Sequence, residues 1–368
     1  MVRKVERDRV RYAVVGAGNI AQVAVLPAFA HAKENSELAV IATDDAEKRA
    51  ALGKRYDVPA VPYTDLERAI AREGVDALYV TLRHRLHGAF VARAARAGVH
   101  ALCEKPMATT SDDCRAMIEV CDRAGVRLMI AYRLHFEEAN VRAMETVRSG
   151  RLGDPRYFSA SFSVRDGDIR RRLDLGAGAL FDMGVYCINA ARLLFADEPS
   201  AVVGFQAHGN DGGVEEVDEM SSGLMHFADD RLAHFVAAQG AAGVDSMRIV
   251  GTKGELRVEP AFSYAAELKH YLTIGSKTQE TTFEKRDPFA PELVRFSSCL
   301  RAGVAPEPSG REGLADVRIM EALVASAHMG KLVALSPFDP GERPDGRLPM
   351  KMPAARAPSA LRAPSPSR

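Results

Sequence analysis

Through the first third of the chain, short apolar runs alternate with amphipathic stretches. The runs at 12–15, 38–42, 77–81, 99–103 and 127–131 are four or five residues long and dominated by aliphatic side chains. That is the composition of strands buried on both faces. A shorter run lies near 59–61, and helical spacing between the runs predicts helices at 20–32, 46–56, 65–72, 86–97 and 111–124. Strand and helix in strict alternation give a parallel sheet wound on both faces, with any ligand beyond the strand C-termini. The loops after Val15, Ala42, Thr81, Cys103 and Ala131 are therefore the ones to inspect.

From Arg156 the period changes to short runs at 157–164, 201–207, 221–227, 231–238, 247–250 and 255–258, several divided by turn residues such as Asp229-Asp230 and Thr252-Lys253-Gly254. Strands joined by tight turns are antiparallel neighbours, so this half reads as an α+β layer. A helix continues from the segment Gly176–Tyr186 to about residue 195, and two more are expected at 291–301 and 312–329. Beyond Leu335 the chain is rich in Pro, Arg, Ala and Ser, the composition of a disordered tail or of an arm that orders against a partner subunit. The expected division is a parallel α/β domain at 1–131, an α+β domain at 132–336, and a tail at 337–368.

Composition narrows the function. Lys plus Arg (49) balances Asp plus Glu (49), which argues against nucleic acid or an anionic membrane as partner and leaves a small molecule. The five cysteines are scattered without a metal-type spacing and read as reduced thiols. The charged N-terminus lacks the apolar stretch of a secretory signal, and no apolar run is long enough to span a bilayer, so a cytoplasmic protein is expected.

Four segments carry chemistry. The first strand runs into Gly16-Ala17-Gly18-Asn19-Ile20-Ala21, a G-x-G-x-x-A turn whose following helix would leave N–H groups for a pyrophosphate. Alone, such a match also describes a plain turn. Asp44, ending the second strand, is placed to accept from ribose hydroxyls; the alternative is a turn or helix cap made by Asp44 or Asp45. Glu104-Lys105-Pro106 sets an ionisable pair at the sheet edge. Asp182 and Tyr186, four apart, share a helix face with Asn189 one turn on; a buried packing pair is the alternative. Arg83-His84-Arg85 and Arg170-Arg171-Arg172 could hold an anion or be solvated faces, and His84 with His87 lack a third ligand for a metal.

Gly16–Ala21, the L-C-E-K-P-M-A segment at 102–108, Tyr132-Arg133-Leu134-His135-Phe136 and Gly176–Tyr186 occur in this order over about 10–335. Together they resemble the glucose–fructose oxidoreductase / inositol dehydrogenase (Gfo/Idh/MocA) family of nicotinamide-dependent oxidoreductases, nearest the glucose–fructose branch through 132–140 and 176–186. The resemblance implies an N-terminal Rossmann domain and a C-terminal domain with a large, mainly antiparallel open sheet whose outer face often mediates oligomers. It further implies that Lys105 lies beside nicotinamide and substrate and that Asp182 and Tyr186 complete the catalytic set. Gly16, Gly18, Asn19, Ile20, Thr43, Asp44, Lys48, Leu82, His87, Glu104, Lys105 and Arg133 fall at positions it assigns to the cofactor. The chain departs from the family after the fourth strand, where a Pro-Asn turn is usual and Leu82-Arg83-His84-Arg85-Leu86-His87 stands, matching only at His87. Thr43 and Lys48 fit NADP binding as in the glucose–fructose branch, while Asp44 fits NAD, and the reading leans to NAD.

The expected reaction is hydride transfer between NAD or NADP and a carbon of a sugar, polyol or related cyclic alcohol, the proton handled by Tyr186 and Lys105 and the set held by Asp182. An ammonium within reach of a phenol favours its deprotonation. Two alternatives stand beside this: a sugar–sugar oxidoreductase that keeps its nucleotide, and a non-catalytic nucleotide sensor or scaffold.

Overall fold

In a computed structural model, the described residues are 4–165, 178–208, 217–343, 352–354 and 358–361. Six strands, β1 (Val10–Val15), β2 (Ser36–Ala42), β3 (Ala60–Val61), β4 (Ala77–Val80), β5 (His100–Glu104) and β6 (Leu128–Ala131), form a parallel sheet in the order β3-β2-β1-β4-β5-β6. The order reverses direction at β1, so a crevice opens at the ends of β1 and β4, the usual ligand position in such sheets. Covering helices include α1 (Leu26–Ala28, preceded by a π-helical turn Ala21–Val25), α2 (Ala46–Tyr56), α3 (Leu66–Glu73), α4 (His87–Arg96) and α5 (Ser111–Ala124). The first helix stops short of the expected residue 32, because Ala30 and His31 donate to the Pro27 and Ala28 carbonyls and turn the chain.

At the crevice, Gly16 has φ +106°, and a Cβ there would stand 2.7 Å from the Thr81 carbonyl oxygen of the β4 end. Both the backbone conformation and the close approach of β4 require glycine. Gly18 is different: a Cβ there would meet nothing within 4 Å, so the space above it is open.

After α6 (Glu138–Arg148), which the sequence reading did not anticipate, comes a sheet of nine strands. They are β7 (Pro155–Val164), β8 (Ala201–Ala207), β9 (Met220–His226), β10 (Leu232–Gln239), β11 (Val244–Gly251), β12 (Gly254–Val258), β13 (Leu268–Ile274), β14 (Lys277–Phe283) and β15 (Val333–Ala334). Their order is β14-β13-β12-β11-β7-β10-β9-β8-β15, antiparallel except where β10 runs beside β7. The β13–β14 hairpin was also missed, although Leu268, His270 and Leu272 alternate with more exposed neighbours as a half-buried strand requires. One face of the sheet buries Phe158, Met225, Phe235, Met247 and Ile249 in the main core. The other presents Tyr157, Phe205, Leu224, Leu232 and Val236 to solvent, in register across four neighbouring strands.

Chain order does not separate the two sheets. Helix α8 (Ala290–Ala302) follows the second sheet in sequence, yet Leu293, Val294, Phe296 and Leu300 pack with Tyr12, Val14 and Phe29 on the first. Met352 joins that same cluster, and the Leu361 backbone makes paired hydrogen bonds with the Gln22 side chain at 2.8 and 3.0 Å, just after the glycine turn. No helix among the described residues is long and apolar enough to cross a membrane. Arg170-Arg171-Arg172 and Gly176-Ala177 lie outside the described residues.

Candidate active site

Lys105 follows directly on β5, at the sheet edge where the crevice opens. Its Nζ donates to the Asp182 carbonyl at 2.8 Å and lies 3.4 Å from Asp182 Oδ1 and 4.4 Å from the Tyr186 ring centroid. Asp182 belongs to a π-helical turn, Leu180–Gly184, that runs into α7 (Val185–Phe195) at the base of the second sheet. Single π-turns within helices recur at functional sites, since they re-aim side chains that regular spacing would stack. Gly184 lets this turn lie against Phe235 of β10, whose ring would stand 3.2 Å from a Cβ there. Thus an amine from the first sheet meets a carboxylate and a phenol from the second.

Burial works against the charge of Lys105, but Tyr186, Asp182 and Glu104 outweigh it and hold its pKa above the ordinary lysine value. Asp182 shows the converse. Burial would raise it, and Lys105 leads the groups that hold it below the usual carboxylate range, with a 3.0 Å hydrogen bond from Gln239 Nε2 among them. At neutral pH the pair is ammonium and carboxylate, two charges fixed at the mouth of the crevice.

Behind Lys105 lies a buried acid pair. The Tyr79 hydroxyl stands 3.1 Å from Glu104 Oε1 and 3.2 Å from Glu292 Oε2, and Glu292 is fully buried. One phenolic hydrogen can serve only one carboxylate, so the other carboxyl must bring its own proton. Burial pushes Glu104 up to about 7 despite Lys105, and burial with the Glu104 charge pushes Glu292 well above its ordinary value. Carboxyls whose folded pKa is raised hold protons that the unfolded chain has released, so their stabilisation is present at low pH and lost as pH rises from about 4.5 through about 7. Glu292→Gln keeps a donor toward Tyr79 and removes one titration. Between pH 5 and 8 the variant should lose less stability than wild type in urea unfolding. Parallel pH slopes would show that Glu292 ionises freely.

Other expected site residues take varied places. Arg133 is buried, with its guanidinium carbon 5.0 Å from the Tyr186 ring centroid and 5.4 Å from that of Tyr264, and it pairs with Glu137 and the Phe262 carbonyl. It thus backs the phenol. His87 is fully buried, its Nδ1 3.0 Å from the Pro106 carbonyl and its Nε2 3.0 Å from that of Leu82. It pins the loop after β4 to the loop that carries Lys105.

The nucleotide end lies across the sheet. Asn19 and Ile20 open the helix after the glycine turn, and Asn19 Oδ1 is buried without a partner. With the open space over Gly18, the N–H groups that open this helix fit a pyrophosphate at a helix N-terminus. The end of β2 lies three strand positions from β5, about 14 Å at the usual strand spacing, a span suited to a dinucleotide. There Thr43 is buried, Asp44 Oδ1 accepts from the Tyr63 N–H at 2.9 Å, and Asp45 caps α2 through the Lys48 N–H at 3.0 Å. Arg49, which the sequence reading passed over, donates to the Thr43 carbonyl at 2.8 Å, so the β2 end gathers a second cation beside Lys48. Gln239, Glu292 and Tyr79 were missed as well, since they reach the site from other segments; His84, read in the sequence only as part of a basic run or as a metal ligand wanting a third partner, stands near the site too.

Comparison with known proteins agrees with this layout. The model described as "Oxidoreductase family, NAD-binding Rossmann fold" matches residues 10–132, and that of the GFO/IDH/MocA C-terminal domain matches 140–257. D-xylose 1-dehydrogenase [NADP(+)] of Haloarcula marismortui is 31% identical over 337 residues, 89% of this chain and 93% of its own length. Among solved structures, aldose-aldose oxidoreductase from Caulobacter crescentus complexed with glycerol is 34% identical with a TM-score of 0.84, over 89% of this chain and 100% of that one. A 3-ketoreductase from Actinomadura kijaniata in complex with NADP and TDP-benzene is 26% identical with a TM-score of 0.79, over 86% and 98%. The leaning toward NAD is not supported: two of these proteins are NADP proteins by name, and the acidic group that prompted it, Asp44, has one oxygen taken up by the Tyr63 N–H.

Proposed function

Since this chain belongs to the GFO/IDH/MocA oxidoreductase family, we propose that it is an NADP-dependent oxidoreductase moving hydride between nicotinamide and a hydroxyl-bearing carbon of an aldose or related sugar. The observation that carries this is the meeting of Lys105 with Asp182 and Tyr186, an ammonium against a carboxylate and a phenol, at the sheet edge where the crevice opens. When bound, nicotinamide supplies the hydride chemistry. The protein's own groups manage the oxygen: the Lys105 ammonium binds it and stabilises negative charge there, Tyr186 exchanges the proton, and Asp182 holds the amine in place. Thr43, Lys48 and Arg49 would receive a 2′-phosphate, with Asp44 directed to Tyr63.

Fluorescence titration with NADPH and NADH, followed by a screen of aldoses, polyols and sugar acids for nicotinamide reduction, tests this. Tighter NADPH binding and turnover on aldoses are expected; nucleotide binding without turnover on any sugar would leave only a sensor or scaffold. The likeness to the Caulobacter aldose-aldose oxidoreductase favours a second reading, in which nucleotide stays bound and is recycled between two sugars. It would show as NADP(H) that survives purification. We further propose a homo-oligomer closed through the exposed apolar face of the second sheet, working in the cytoplasm, where five unpaired buried thiols stay reduced.

A further inference from the structure

His84 opens the short turn after β4, in the loop where the chain departs from its family, and it lies near enough to Asp182 and Lys105 to feel both charges. Its Nδ1 is buried without a partner, and neither ring nitrogen makes a hydrogen bond among the described residues. Its neighbours are committed elsewhere. Lys105 is engaged by Asp182, Asp182 by Gln239, and His87, whose ring centroid is 5.7 Å from that of His84, by the Leu82 and Pro106 carbonyls. A buried polar atom without a partner is uncommon in a folded protein, and beside a crevice it points to a group that arrives with the ligand.

We propose that His84 contacts the substrate, exchanging a hydrogen bond with a sugar hydroxyl near the carbon that reacts, and so helps decide which sugars are accepted. The proposal rests on the sugar oxidoreductase reading above and deepens it. Burial, followed by the nearby His87, pushes the His84 pKa down to about 3, so the ring is neutral in the working range. A neutral imidazole has one N–H and one lone pair, and a hydroxyl likewise both donates and accepts. An anionic substituent would instead call for a cation at this place.

His84→Leu and His84→Asn are nearly equal in size, and only Asn can hydrogen-bond. With the preferred aldose, His84→Leu should raise KM about 10-fold or more and change the ranking among aldoses, with the NADPH Kd within about twofold of wild type. His84→Asn should recover most of the loss. Should His84→Leu not fold, His84→Phe in the same assays carries the test. An unchanged KM in an active variant overturns the proposal while leaving the sugar reading intact. So does a parallel loss of NADPH affinity, which would assign the ring to the nicotinamide carboxamide. A wild-type protein that turns over no sugar takes both down.

Discussion

Lys105→Met is expected to lower turnover by about 10³-fold and to leave NADPH affinity within a few-fold of wild type. Methionine keeps the length of the stem and its packing among Pro106, Asp182 and the Tyr186 ring, so the loss isolates the ammonium. That charge is set by the fold. Lysine in so enclosed a position would ordinarily shed its proton, and Asp182, Tyr186 and Glu104 together prevent it. Tyr186→Phe serves as comparison, removing one oxygen and keeping the ring over which the Lys105 Nζ sits at 4.4 Å. Its turnover should fall by about 10²-fold with nucleotide binding unaffected. Stopped-flow hydride transfer and NADPH fluorescence separate the two quantities. Equal losses of turnover and affinity in both variants would mean that these residues build the nucleotide pocket and move no proton.

Arg192→Met should cost about 3–5 kcal/mol of stability, enough to bring a typical domain near its unfolding threshold. Arg192 is fully buried on α7, with Nη1 2.8 Å from Glu312 and 2.5 Å from Asp316, and Nε 2.8 Å from Glu198. Glu312 and Asp316 lie on α9 (Gly310–Met329), so the guanidinium ties the helix that continues from Asp182 and Tyr186 to the last helix of the core. Asn189, one turn before Arg192, donates to both carboxylates at 3.0 Å and faces His135 Nε2 at 2.8 Å. Methionine would leave buried carboxyls facing an apolar side chain. Adding Glu312→Gln and Asp316→Asn to Arg192→Met should restore much of the loss, because it is the uncompensated charge, more than the missing bridge, that destabilises. Thermal unfolding of the single and triple variants decides it; equal melting temperatures for the two would refute this account.

The first sheet was legible because its information is local. Runs such as Tyr12–Val15 and Leu38–Ala42 are apolar over most of a strand, and residues such as Gly16 mark the turns where backbone conformation leaves few alternatives. Lys105, Asp182 and Tyr186 could be named from short segments for a related reason, since each stands in a motif that reads without its neighbours. The hairpin at 268–283 was missed because its last strand, Lys277–Phe283, is polar and exposed up to its final Phe283 and shows no alternation.

By itself the sequence determined the alternation of strand and helix, the glycine turn, and the residue types able to handle a proton; each depends on the covalent chain over a handful of positions. Folding alone decided which distant groups share a dielectric. Glu292 meets Tyr79 from 213 residues away along the chain, Gln239 comes to Asp182 from 57, and α8 lies on the first sheet after the chain has passed through the second. Charge at a buried group depends on everything within a few ångströms regardless of chain distance, so the ionisation of Lys105 and the unpartnered Nδ1 of His84 belong to the assembled molecule.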